Sequence, residues 1–320
     1  MRVLIYGAGS VGLGVASCLI KAGQQVDLMG RPATQELLRK KGFIREGIFG
    51  NFHALPDQFG SYTSLNQIPD KWLYDFIFVC TKSNDSKPAA LDISEQSKLL
   101  KSDGKIILFQ NGWGNAEIFI EYFPKETVYN ARVITGFIRP ELNKVNITVH
   151  ADAIHIGNLF GSSIESIVNI CNTIQNGGIP CETTLHIGKD LWAKMLYNCA
   201  LNPLGAILDV PYGNLAKHKQ TRFLMNQIID EVFQVMTISG YSTHWPDAET
   251  YRKVFYEELI PATALHHSST LQDVKAGRLT EIEALTGAII RLAEKNKFVV
   301  PYNRTVYSLI KFIESRSTDS

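Results

Sequence analysis

A chain of 320 residues with 20% charged side chains and a formal charge of +1 has no global field of the kind that gathers nucleic acid or an anionic membrane, so neither is expected as a partner. That length exceeds what one hydrophobic core usually serves, and two domains are expected, with room for a cofactor site and a substrate site. The five cysteines are odd in number and scattered through apolar runs, and neither they nor the eight histidines have metal-ligand spacing, so a reduced cytoplasmic compartment and no metal are expected.

The N-terminus lacks the basic, apolar and small-residue pattern of a signal sequence. No apolar run approaches the roughly 20 residues that span a bilayer, so a soluble, unprocessed chain is expected. "RVLIY", Arg2 to Tyr6, is a short apolar run ending in glycines, and "VGLGVASCLIKAG" then has helical spacing and closes on Gly23. The pattern predicts strand, turn and helix. "QQVDLMG" follows as a second strand, and "DFIFVCT" and "KIILFQN" read as strands buried on both faces of a parallel sheet. The alternation of strands and helices predicts a doubly wound, Rossmann-like α/β domain over residues 1–186, and "VNITVHADAIHIG" has the two-residue period of an antiparallel extension. Residues 187–320 have long helical patterns and predict an all-helical domain, with only the tail "ESRSTDS" expected to lack structure.

"GAGSVG" sets Gly7, Gly9 and Gly12 directly after the first strand and at the opening of a helix, the context a dinucleotide fingerprint requires. Gly7 permits the tight turn, Gly9 lets backbone approach a pyrophosphate, and Gly12 lets the helix pack closely. Roughly 20 residues further on, an NAD site places an acid to hold the ribose hydroxyls. Here Gly30 and Arg31 stand there, and Asp27 lies inside the strand. A planar cation suits a 2′-phosphate and an acid would repel it, so NADPH is the expected cofactor. Lys82 and Asn111 lie just beyond the ends of two strands, where open α/β sheets bind ligands.

In the helical half, "LWAKMLYNCALNP" keeps Lys194, Asn198 and Asn202 at intervals of four within an otherwise apolar helix. Four residues turn a helix by roughly 400°, so the three share one face. A second polar cluster runs from His266 to Gly287, in which Thr280 and Glu283 have the spacing of a capping box and Glu281 falls in the first turn of the helix it would open. Ser268 and Ser269 precede that helix, and each could serve a neighbouring backbone group.

From "GAGSVG" through "QNGWGN" and "LWAKMLYNCALNPL" to "SSTLQDVKAGRLTEI" and "VPYNR", nearly the whole chain resembles the ketopantoate reductase (2-dehydropantoate 2-reductase) family. The resemblance implies NADPH-dependent reduction of ketopantoate to pantoate in pantothenate and coenzyme A biosynthesis, and a homodimer as the family's expected assembly. It further implies Lys194 as proton donor with Glu281 as its catalytic companion, and Asn111, Asn198, Asn202, Ser268 and Ser269 as substrate-binding residues. Cofactor contacts carry over to Gly7, Ala8, Gly9, Ser10, Val11, Gly12, Arg31, Lys82, Asn111 and Glu281. The chain departs from the family pattern at Tyr212, where some members have asparagine, at Thr270 in place of methionine and at Thr286 in place of asparagine. A paralogous NADPH-dependent reductase of another 2-oxo acid, an opine-type dehydrogenase and a non-catalytic NADPH-sensing protein are the alternatives.

Overall fold

The structure, a computed structural model, describes the backbone of residues 1–318 and the side chains of residues 1–316. β1 (Arg2–Tyr6) leads through the glycine turn into α1 (Ser10–Lys21), followed by β2 (Gln25–Met29), α2 (Pro32–Lys41), β3 (Phe43–Gly47), β4 (Phe52–Ala54) and β5 (Phe59–Tyr62). Next come β6 (Tyr74–Val79), α3 (Ser86–Glu95), β7 (Leu100–Leu108), α4 (Asn115–Phe119) and β8 (Val128–Arg132). The strand-rich part ends with β9 (Thr135–Glu141), β10 (Lys144–His150), β11 (Ile154–Gly157), α5 (Glu165–Asn176) and β12 (Cys181–Thr183). Among the described residues only helices follow: α6 (Ile187–Leu208), α7 (Tyr212–Lys217), α8 (Lys219–Ile238), α9 (Ala248–Val254), α10 (Ile260–Ala262), α11 (Ser269–Lys275), α12 (Thr286–Lys295) and α13 (Pro301–Thr318).

The chain divides into two compact units. The first holds Met1–Gln110 and Asn115–Ile187; the second holds the residues from Gly188 onward together with Asn111–Gly114. In place of one boundary between residues 186 and 187, the structure groups Ile187 with the first unit and a four-residue loop from the middle of the chain with the second.

In the first unit an eight-stranded sheet has the order β12-β11-β8-β7-β6-β1-β2-β5. All neighbours in it are parallel except β8 and β11. β1 sits near the middle, and its residues divide between two apolar clusters, with Val3 and Ile5 in one and Leu4 and Tyr6 in the other. Burial on both faces is why these strands read as continuous apolar runs. The expected antiparallel extension is present but splits between two sheets. Its second half is β11, antiparallel to β8. Its first half is β10, which pairs antiparallel with β9 and parallel with β3 in a separate sheet of order β4-β3-β10-β9.

The small sheet is fastened to α1. A Cβ on Gly14 would lie 2.3 Å from Cε1 of Phe137 on β9, so only glycine lets the strand come this close. Arg45 of β3 is wholly buried. Its Nη1 donates to Ser17 Oγ, Cys18 Sγ and the carbonyl of Gly177, each at 3.2 Å, and its Nη2 donates to the Phe49 carbonyl at 3.4 Å. Gly177 caps the C-terminus of α5, where the helix dipole is negative and favours a cation.

In the second unit α13 runs to Thr318, which corrects the expectation of an unstructured tail from Glu314. The remaining tail residues, Asp319 and Ser320, lie outside the described residues. Glu314 explains the extension of the helix, because its carboxylate is buried against Thr280. Among the described residues no helix is long and apolar enough to cross a membrane, and the five cysteines are free thiols.

Gly14→Val is expected to cost about 1–3 kcal/mol, the usual penalty for overpacking, because the new side chain must push Phe137 off α1. Thermal unfolding of the variant should begin several degrees below that of the parent.

Candidate functional site

The nucleotide end of the first unit is built from glycine geometry. Gly7 has φ of +114°, and a Cβ there would lie 2.7 Å from the Thr81 amide nitrogen. The amides of Gly7 and Ala8 both donate to the Met29 carbonyl, at 3.0 and 2.9 Å, which locks the turn to the end of β2. A Cβ on Gly12 would sit 2.1 Å from the Gly7 carbonyl oxygen, so the first turn of α1 can close under the loop only without one. Gly9 faces the other way, where a Cβ would meet nothing nearer than the Cys80 carbonyl at 4.0 Å. Gly9 is also the N-cap of α1, and no side chain caps the helix. The amides of the first turn, which include Ser10, Val11 and Gly12, thus have no side-chain acceptor at the positive end of the dipole. A diphosphate fits this cradle by charge and by space.

At the end of β2, Gly30 packs against Ala8, and Arg31 follows as the exposed N-cap of α2. Asp27 is 1% exposed and engaged, accepting from Arg2 Nε and Tyr74 Oη, both at 2.9 Å. The nearest acid in sequence to the ribose position is therefore committed inside the sheet. Lys82 follows β6 and caps a short turn, with its carbonyl held by Gln110 Nε2 at 3.0 Å.

The second unit gathers the polar residues. Lys194, Asn198 and Asn202 lie on α6 as the spacing predicts. Lys194 Nζ donates to Asn111 Oδ1, and Asn111 Nδ2 donates to Glu281 Oε2 at 2.9 Å. Asn111 therefore joins the lysine to the glutamate. The loop that carries it is held by Gly112, with φ of +89°, where a Cβ would lie 2.3 Å from the Ala284 carbonyl oxygen. The Trp113 amide donates to that same oxygen at 2.8 Å, and the Trp113 ring packs on Trp192 and Tyr241 with centroids 4.8 and 4.7 Å away.

Asn198 is 8% exposed, and its amide makes no hydrogen bond with the described residues; Asn202 is 3% exposed, and its Oδ1 accepts from Tyr212 Oη at 2.6 Å. Burial, with Tyr197 contributing less, pushes the Tyr212 phenol well above its ordinary value, so it remains a donor to Asn202. Its ring lies 5.7 Å from that of Tyr197 and 5.4 Å from that of His266. Ser268 is wholly buried as the N-cap of α11. Its hydroxyl accepts from the Leu271 amide at 3.0 Å and donates to the Asn202 carbonyl at 3.2 Å, while Ser269 is exposed at the start of the helix.

The capping box does not form. α12 begins at Thr286, and Thr280 instead donates from its amide (2.8 Å) and its hydroxyl (2.7 Å) to Glu314. Thr280 Oγ1 accepts from the Ile282 amide at 3.2 Å, and Glu283 accepts from Tyr307 Oη at 2.7 Å. Glu281 therefore stands in a turn ahead of the helix. Sequence reasoning also missed Asp190, which extends the stripe one helical turn upstream and has His244 Nε2 2.6 Å from its carboxylate. The interval of four that linked the other three would have included it.

A glycine-turn dinucleotide fold in one unit and a lysine, amide and carboxylate network in the other define a pyridine-nucleotide-dependent oxidoreductase. Residues 3–161 match the family model described as ketopantoate reductase PanE/ApbA, and residues 186–314 match the model of its C-terminal part. A 2-dehydropantoate 2-reductase of Aquifex aeolicus is 36% identical over 315 residues, covering 97% of this chain and 96% of that protein. The crystal structure of a PanE/ApbA family ketopantoate reductase from Ralstonia eutropha is similar with a TM-score of 0.84 at 27% identity, covering 99% of this chain and all of that one. A D-mandelate dehydrogenase, solved with NADH and anilino(oxo)acetate, has the same fold with a TM-score of 0.86 at 23% identity, again over 99% of this chain and all of that one. The chain belongs to the ketopantoate reductase family.

Burial pushes the Glu314 carboxyl up, but Lys311 and the two Thr280 donors outweigh it and hold it below the ordinary value. A depressed folded-state value adds stability that is complete above the ordinary carboxylate range and is lost as pH falls through the depressed value. Glu314→Gln should therefore unfold at a lower temperature than the parent at pH 7. In a pH series of melting curves, the gap should close as the pH drops below about 4.

Proposed function

We propose that this chain reduces 2-dehydropantoate to pantoate with NADPH as the reductant. The observation that carries the reading is the Lys194, Asn111 and Glu281 network, set on the helix face that also presents the uncommitted amide of Asn198. The cofactor contacts of this reading are Gly7, Ala8, Gly9, Ser10, Val11, Gly12, Arg31, Lys82, Asn111 and Glu281.

When bound, the reduced nicotinamide supplies the hydride that the ketone carbon accepts. The remaining work belongs to the side chains of this protein. The ammonium of Lys194 donates a proton to the oxygen as it becomes an alkoxide, and its charge stabilises that oxygen before the proton moves. Asn111 holds Nζ at one donor position, and Glu281 holds Asn111 by its nitrogen, so the asparagine must keep its oxygen toward the lysine. Asn198 and Asn202 bind the substrate carboxylate and hydroxyl and fix which face of the ketone is reduced. Tyr212 takes Asn202 Oδ1, which leaves the amide nitrogen as the group offered to an anion. Ser268 acts on the substrate only through Asn202, since its hydroxyl is spent on Leu271 and on the Asn202 carbonyl; Ser269 is the exposed hydroxyl of the pair.

Arg31 and the engaged Asp27 support NADPH over NADH. A second reading, reduction of a different bulky 2-oxo acid, is favoured by one feature. Tyr212, with Tyr197 and His266 against its ring, puts an aromatic surface beside Asn202. An NADPH oxidation assay over a panel of 2-oxo acids separates the two, since selective turnover of ketopantoate supports the first and preference for a bulkier member supports the second. Turnover of none of them would sink both.

Lys194→Ala should lower turnover roughly 100-fold or more, the scale of a lost general acid, with NADPH affinity nearly unchanged; near-normal turnover would remove Lys194 from the chemistry. Arg31→Asp should weaken NADPH and shift the balance toward NADH, and an unchanged ratio of the two affinities would contradict the phosphate role.

A further inference from the structure

We propose that Arg139, carried on β9 of the small sheet, joins Arg31 in a two-arginine clamp for the 2′-phosphate of the cofactor's adenosine. The inference rests on the NADPH reading above and adds a residue that neither the glycine fingerprint nor the end of β2 identifies.

The placement is geometric. Arg139 Nη2 donates to Thr34 Oγ1 at 2.9 Å. Thr34 is the third residue of α2, the helix that Arg31 caps, so the guanidinium of Arg139 lies on the first turn of that helix. Arg139 also donates to the Leu142 carbonyl, which holds it by the turn that joins β9 to β10. Two residues earlier on the same strand face stands Phe137, the ring that Gly14 admits onto α1. The dinucleotide helix itself therefore sets how far β9 reaches toward α2. Gly30, which precedes Arg31, packs against Ala8 of the phosphate-binding turn, so both cations belong to the nucleotide end of the unit.

The electrostatics suit an anion. Among the described residues neither Arg31 nor Arg139 has a carboxylate partner, and the Nε of Arg139 is buried without an acceptor. Burial chiefly lowers the Arg139 value, and the charge of Arg31 lowers it further, as expected of two cations at the same end of the unit. Arg31 provides no side-chain cap for α2, and Pro32 at its first position has no amide hydrogen, so the amides of Ala33 and Thr34 add to the positive end of the helix dipole. A dianionic phosphate satisfies this set, and guanidinium forks match its oxygens. A ribose 2′-hydroxyl, uncharged, leaves the repulsion in place.

The test measures binding to the full chain rather than activity. Calorimetric titration with 2′,5′-ADP and 5′-AMP, and fluorescence titration with NADPH and NADH, would be run on the parent, Arg139→Gln and Arg139→Lys. Loss of a charge-assisted pair to phosphate is expected to weaken 2′,5′-ADP and NADPH about 10-fold or more in Arg139→Gln. Binding of 5′-AMP and NADH should stay within about twofold of the parent, and the lysine variant, with charge but no fork, should fall between. Equal weakening of phosphorylated and unphosphorylated ligands would reduce Arg139 to a support for β9 and overturn the clamp. So would a glutamine variant that binds NADPH as the parent does. A parent chain that prefers NADH would refute the NADPH reading and the clamp together, whereas a parent that prefers NADPH beside an unaffected variant refutes the clamp alone.

Discussion

The approach of Gly112 to the carbonyl of Ala284 is the constraint on which the polar network depends. A backbone with φ of +89° and no side chain can lie against that oxygen, and the neighbouring Trp113 amide then bonds to it. The contact joins a loop from the middle of the chain to a turn near its other end, and so brings Asn111 between Lys194 and Glu281. Neither helix propensity nor strand pairing would bring these three together. A close backbone contact does, and because it is rigid it sets the direction in which each hydrogen bond runs.

The rest of the candidate site is braced by buried hydrogen bonds from its neighbours. Tyr212 fixes one end of the Asn202 amide, Ser268 bonds its backbone, and Glu314 grips Thr280 just before Glu281. Each is a buried polar group with a partner, the arrangement that makes a polar interior specific instead of merely costly. The nucleotide end follows a different plan. There the fit depends on absent side chains: Gly7, Gly12 and Gly14 each occupy a position where a Cβ would strike a neighbouring loop, turn or ring.

Features encoded by local pattern were legible in the sequence. β1 begins and ends at Arg2 and Tyr6 as the apolar run implies, and the glycine turn and the face shared by Lys194, Asn198 and Asn202 follow from short-range spacing. The misreadings have a common cause. Thr280 with Glu283 has the spacing of a capping box, but a carboxylate from α13 competes successfully for the threonine. The polar tail offers no core-forming pattern, yet its first residue is that same carboxylate. The alternation in "VNITVHADAIHIG" specified strands without specifying that they belong to two sheets. Arg139 carried no signal at all, since its meaning comes from Thr34 and Arg31, which are distant in sequence and adjacent only once β9 has docked on α1.

Arg45 gives the first unit a cross-link of an unusual electrical kind. Most buried cations are matched by carboxylates, and such pairs weaken in acid when the carboxylate takes up a proton. The partners of Arg45 are two carbonyls, a hydroxyl and a thiol, none of which gains or loses charge between mild acid and neutrality. The joint between the small sheet, α1 and the end of α5 is therefore indifferent to pH, whereas the Glu314 clasp in the other unit is not.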